Sequence, residues 1–220
     1  MDVADLEQLA VSTYQRFGFD AARPLSPVVL ARALLDDQDP IELVSWLATG
    51  HGALYRLRGR RRIAIRKSLP IEYQLFALAH ELSHVLLEEC DHSSPRIESS
   101  CDYLAACLLS PAPATHALHA ALRFDLKTIA QLTCSTQTWA ALRLGEVLRV
   151  AVAAIRPSKI RYRGAQSDLA AFPSERTLRA VVRGKARDDR LRVVMISDAR
   201  GRAAVLGGAN FERRTTFFVG

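Results

Sequence analysis

His80-Glu81-Leu82-Ser83-His84 is the stretch of this chain with the clearest chemistry. Two imidazoles four residues apart on a helix project from one face about one turn apart, the spacing that two ligands of one zinc ion need. Glu81, beside them, is placed to act as general base toward a water at such a metal. The competing reading is two histidines on an ordinary helix with polar contacts. Leu75, Leu78, Leu82 and Val85 form an apolar face on the same predicted helix, which runs from about Ile71 to Glu88. Burying that side while carrying two imidazoles and a carboxylate on another is costly unless the polar groups have a partner, and a metal is such a partner.

A catalytic zinc takes three protein ligands and keeps one position open. A third histidine six residues after the second would fall at Cys90, and Leu87 stands where that solution needs a turning glycine. The other candidate is Glu98 on a following helix. Asp102, one turn later on the same face, is placed to accept a hydrogen bond from a ligand histidine and fix its tautomer. The plain alternative is a solvated Glu/Asp pair. For a second oxyanion donor, Tyr103, His116 and His119 are all candidates.

Several elements must position these groups. Asp2 to Phe17 has helical apolar spacing and stops at Gly18, and Ser26-Pro27 opens a helix through Leu35. Asp36 to Pro40 reads as a solvated break. Ala53–Leu57 and Arg62–Arg66 alternate in period two around Arg58-Gly59-Arg60, a hairpin leading into the histidine helix. The basic run Arg56 to Lys67 reads as a solvated sheet face, with a nucleic-acid contact as the alternative. The Arg62–Arg66 strand is a candidate to pair with an extended substrate. A second helix, Arg96 to Ser110, ends at Pro111 and Pro113, and Ala114 to Arg123 follows as a helix. Asp125 caps a short helix through Leu132, and Ser135 caps a longer one from Thr136 to about Ala154; the pair is helix-turn-helix-like. Beyond Arg156-Pro157 come strands at Lys159–Arg163, Leu191–Ser197, Ala203–Leu206 and Thr215–Val219, a helix at Ser174–Ala186 and a turn at Asp198–Gly201. The fold class expected is α+β, with one domain over residues 1–154 and a small α+β domain over 155–220.

Charge divides the chain in the same place. Residues 1–150 hold 15 Lys/Arg against 17 Asp/Glu, whereas residues 151–220 hold 15 against 6. A basic segment of that kind faces a polyanion or a solvated surface. Arg161, Arg163, Arg176, Arg179, Arg183, Lys185 and Arg187 are the candidate DNA contacts, with Tyr162, Phe172, Phe211, Phe217 and Phe218 interleaved to stack on single-stranded bases. No apolar run is long enough to span a membrane, and Met1-Asp2-Val3-Ala4-Asp5 is acidic where a signal peptide is basic, so a cytoplasmic protein is expected. Four cysteines at irregular spacing fit reduced thiols.

The segment Phe76 to His84, with Glu98, Leu104-Ala105, Leu108-Leu109 and Pro111, resembles the ImmA/IrrE family of zinc metallopeptidases over about residues 25–150. Two positions depart from that pattern: Cys101 stands where alanine is usual, and Asp102 where asparagine is frequent. The resemblance implies a mostly helical, zincin-like domain that holds Zn2+ and cleaves a partner helix-turn-helix repressor in phage, DNA-damage or antiphage-defence circuits. It also implies a C-terminal GAF-like domain for residues 155–220. The basic C-terminal half resembles CapP-type peptidases of antiphage operons, which implies single-stranded DNA as the activating signal. A DNA-binding regulator with a structural zinc site is the alternative function.

Cys101 follows Glu98 by three residues, so on a helix the two side chains point about 60° apart. A thiolate there is a candidate inhibitory fourth ligand, filling the open position until nucleic acid relieves it. The alternative is a small apolar residue in an alanine slot.

Overall fold

The computed structural model describes residues 2–36, 39–88, 95–123 and 125–148, together with the backbone of four strands between residues 151 and 207. Two compact units divide the chain. One is Met1–Leu118 with Ala130–Thr136, and the other is His119–Ile129 with Gln137–Gly220.

The first unit opens with α1 (Val3–Arg16), closed at its start by a reciprocal Asp2/Asp5 capping box and at its end by Gly18 at φ +71°. Leu6, Ala10, Thr13 and Tyr14 share its buried face. The Tyr14 hydroxyl donates to Leu108 O at 2.7 Å and accepts from Leu25 N at 3.2 Å. Helix α2 (Pro27–Leu34) has Ser26 as its cap and Pro27 in its first turn.

A three-stranded sheet follows, from β1 (Ile41–Val44), β2 (Gly52–Leu57) and β3 (Arg60–Arg66), in the order β1-β3-β2. The pair β2/β3 is antiparallel and joined by Arg58 and Gly59, both at positive φ, the backbone that a twisted two-residue hairpin loop demands. The pair β1/β3 is parallel, Ile41 opposite Ile63. Strand β1 was not expected from the sequence. Strand β3 is the centre of the sheet, so the expectation that Arg62–Arg66 pairs with a substrate is corrected: both of its edges are already taken. Along the basic run, Arg62 is paired with Glu42 at 2.7 Å.

Helix α3 (Ile71–Leu86) carries the histidines, and α4 (Pro95–Leu109) packs along it. Leu54, Ile63 and Ile65 of the sheet meet Leu78, Leu82 and Val85 of α3, and Leu104 and Leu108 of α4 complete the core with Leu6, Tyr14 and Leu30. In α5 (Ala112–Leu122), Pro113 lies inside the first turn, where a missing N–H costs nothing, and is not the stop it was taken for.

Helix α6 (Leu126–Leu132) is capped by Asp125, whose Oδ1 accepts from Thr128 N at 3.1 Å and whose Oδ2 accepts from Thr128 Oγ1 at 2.7 Å. Helix α7 (Gln137–Val147) ends well before Ala154. The expected helical end is instead β4 (Ala151–Ile155), in an antiparallel sheet with β5 (Ile160–Arg163), β6 (Leu191–Met195) and β7 (Ala203–Gly207), in the order β5-β4-β7-β6. The short apolar run Ala-Val-Ala-Ala-Ile suits either state locally, and pairing with β5 and β7 decides it. Ser135 Oγ lies 2.9 Å from Thr133 Oγ1, and α7 begins two residues later. The fold is α+β, mostly helical over residues 2–148. The expected helix at Ser174–Ala186, turn at Asp198–Gly201 and strand at Thr215–Val219 lie outside the described residues.

Candidate metal centre

Helix α3 brings His80, Glu81 and His84 to the middle of the first unit, because its apolar face is clamped by the sheet and by α4. His84 and Glu81 are buried at 0% and 2% exposure. Glu98 comes from the first turn of α4, where an ionised carboxylate is favoured by the helix dipole. His80 Nε2 lies 3.2 Å from Glu98 Oε2, His84 Nε2 lies 3.3 Å from Glu98 Oε1, and the two Nε2 atoms are 3.3 Å apart. A tetrahedral zinc with bonds of about 2.0–2.1 Å has ligand–ligand edges of about 3.3–3.4 Å. The two Nε2 atoms and the two Glu98 oxygens they face are thus spaced as the ligands of one zinc ion are, and His80, His84 and Glu98 are the metal-capable group among the described residues.

Asp102 Oδ1 lies 3.0 Å from His80 Nδ1. An ionised carboxylate can only accept, so Nδ1 carries the proton and the Nε2 lone pair faces the cluster. Burial, the largest single influence on His80, favours its neutral form. The Asp102 hydrogen bond and the charges of Glu81, Asp102 and Glu98 together outweigh it and raise the pKa above the ordinary histidine value.

A cleft of about 490 Å³ opens beside the cluster. Thr49, His51, Gly52 and Ala53 form one wall, while Phe76, Ala77, His80, Glu81, Glu98 and Asp102 form the other. The ring of His51 meets Tyr73 edge-on, with centroids 6.1 Å apart. His51 and Gly52 escaped the sequence reading. The one local signal was a glycine opening a strand, a mark of close approach by another group.

Other expected residues lie elsewhere. Cys101 is fully buried and does not belong to the group formed by His80, His84 and Glu98. The cluster lies on the side of α4 that carries both Glu98 and Asp102. Cys101 is about 100° from Asp102 around the helix and turns into the protein interior. Tyr103 is a core residue and His116 is exposed; neither lines the cleft, and His119 belongs to the second unit. Arg161 and Arg163 stand on β5, while Arg176, Arg179, Arg183, Lys185 and Arg187 lie outside the described residues.

No described helix is long and apolar enough to cross a membrane. Residues 41–144 match the family Peptidase_M78, the IrrE N-terminal-like domain. No curated protein matches the chain. Among solved structures, a Mycobacterium tuberculosis transcriptional regulator shares the fold, with a TM-score of 0.62 at 14% identity, covering 92% of this chain and 87% of that one. The matched segment spans the sheet, α3 and α4, and so contains every residue of the cluster. Over residues 41–144 the chain thus carries an IrrE N-terminal-like domain, the domain of the Peptidase_M78 family.

Proposed function

We propose that this protein is a zinc-dependent endopeptidase that cleaves a partner helix-turn-helix repressor. In this reading DNA, preferably single-stranded, bound by residues 155–220 is its activating signal, and that segment is a GAF-like sensor domain. The observation that carries the peptidase assignment is the convergence of two Nε2 atoms and the Glu98 carboxylate at 3.2–3.3 Å, opening onto a cleft beside a buried glutamate. A structural zinc is normally closed by four protein ligands, whereas three ligands and an accessible face suit catalysis.

His80, His84 and Glu98 hold the metal, and Asp102 keeps the His80 lone pair pointed at it. When bound, zinc supplies Lewis acidity, polarising the scissile carbonyl and acidifying water. Glu81 accepts the proton of the attacking water and returns it to the leaving amine. Its burial keeps bulk water from competing for that proton. An extended substrate finds its backbone partner on the outer edge of β2, which borders the cleft, and not on the central β3.

Two variants test the assignment. His84→Ala is expected to lose stoichiometric zinc, and Glu81→Gln to keep zinc while losing cleavage by about 10²–10⁴-fold. Full zinc content in His84→Ala removes the ligand assignment. The solved structural relative is named a transcriptional regulator, so the competing role is DNA-binding regulation with zinc kept for structure. A Glu81→Gln protein that still derepresses its operon in cells decides for that role. Incubation of the purified protein with a helix-turn-helix repressor, with and without single-stranded DNA, tests the substrate and the signal together.

A further inference from the structure

We propose that Gly52 is a positioning residue for the general base: the missing side chain at the head of β2 lets the Glu81 carboxylate take its place in the cleft. The inference rests on the peptidase reading above.

A Cβ on Gly52 would stand 2.7 Å from Glu81 Oε1, 3.0 Å from Glu81 Cγ and 3.0 Å from Ile65 Cδ1. The first of these is closer than a Cβ comes to another heavy atom. Backbone geometry does not explain the glycine. Gly18, Gly50 and Gly59 have φ of +71°, +73° and +81°, where glycine is favoured for conformation alone, but Gly52 is not among the positive-φ residues. Its strand backbone suits any L-residue, so the glycine serves space.

The surroundings determine what must yield if that space is filled. Gly52 is registered opposite Ile65, and Arg66 N–H donates to His51 O at 2.9 Å, so the strand cannot retreat without breaking its ladder. Ile65 is a core side chain at 2% exposure, and the Glu81 stem hangs from the middle of α3. Of the three crowded atoms, Glu81 Oε1 is the one closest and the one at the far end of a flexible side chain. Gly52→Ala therefore keeps the sheet, the helix and the three ligands, and turns the base. A general base works only within hydrogen-bond reach of the proton it takes, so this rotation is felt in turnover and not in metal binding.

The test uses the full-length zinc protein and a randomised peptide library read by mass spectrometry, with the best-cut peptide then used for kinetics. Gly52→Ala is expected to retain full zinc, to lower kcat about 100-fold and to leave KM within about twofold. Placed on Glu81→Gln, it should lower the residual rate no further, because both changes act through one carboxylate. A thermal cycle needs no turnover: Gly52→Ala should lower the Tm of the wild type, and much less that of Glu81→Ala, which removes the crowded atoms. Wild-type kcat in Gly52→Ala, or an equal Tm loss with and without Glu81, overturns the inference. A wild type that cuts no peptide and no repressor overturns the peptidase reading instead, and the thermal cycle still reads the contact between Gly52 and Glu81.

Discussion

Asp102 acts through His80. Its carboxylate holds the Nδ1 proton at 3.0 Å, which leaves Nε2 as a lone pair 3.3 Å from its counterpart on His84. Asp102→Ala removes the acceptor that faces that nitrogen. Zinc affinity, measured by competition with a chromogenic chelator, is expected to fall about 10–100-fold, while the fold is kept. Unchanged affinity would mean that the ring is oriented by packing alone. At this scale the sequence revealed two kinds of residue and hid a third. His80 and His84 were legible because their relation is carried by one helix. Glu98 and Asp102 were legible as a pair because they share a face of the next. Gly52 was not, because its meaning lies in Glu81, 29 residues away and on another element. Cys101 stands about 60° from Glu98 around the helix but about 100° from Asp102, so its spacing alone does not assign it to the face that carries both acids.

Among the elements, α1 is tied to the rest of its unit by Glu7, which accepts from Ala112 N at 2.6 Å, and by the Tyr14 hydroxyl. Tyr14 bridges Leu108 O on α4 and Leu25 N before α2. Tyr14→Phe keeps the ring but leaves both groups unmet, and a loss of about 1–3 kcal/mol in denaturant unfolding is expected. Burial, the largest influence on this hydroxyl, raises its pKa well above the usual tyrosine value of 10.0. The fold thus favours the neutral phenol. That contribution is complete below about pH 10 and is lost as the pH climbs further toward the raised native value. The wild type should therefore lose Tm more steeply than Tyr14→Phe above about pH 10, and parallel curves would contradict it. The hairpin loop offers a gain. Arg58 sits at φ +53°, a region that asparagine tolerates better, so Arg58→Asn should stabilise by about 0.5–1 kcal/mol. Helices with caps and stops were readable almost to the residue: Ser26 and Asp125 each sit where a cap was expected. Strands were less so. Four residues, Ile41–Val44, are too few for alternation to stand out, and Ala151–Ile155 carries alanines that favour the neighbouring helix until its partners arrive.

For the whole molecule the open quantity is charge. The excess of 15 basic over 6 acidic residues in 151–220 supports binding to a polyanion. The full-length protein is expected to bind a single-stranded oligonucleotide with little sequence preference. If six or more phosphates are neutralised, affinity should drop about 10³-fold between roughly 50 and 200 mM salt, as measured by fluorescence anisotropy. Absence of binding at low salt, or indifference to salt, would leave the basic segment as a solvated surface.

The order β1-β3-β2 has a consequence for how the protein is made. The strand that joins the other two is the last of the three to be synthesised. Until Arg60–Arg66 leaves the ribosome, β1 and β2 have no partner, and neither can template the other. The hairpin then closes locally within microseconds, while β1 must return across a longer loop to reach the far side of β3. Glu81 and Glu98 emerge later still. The chemistry of this domain thus waits on two later helices, so the nascent protein has no working site until α4 has docked.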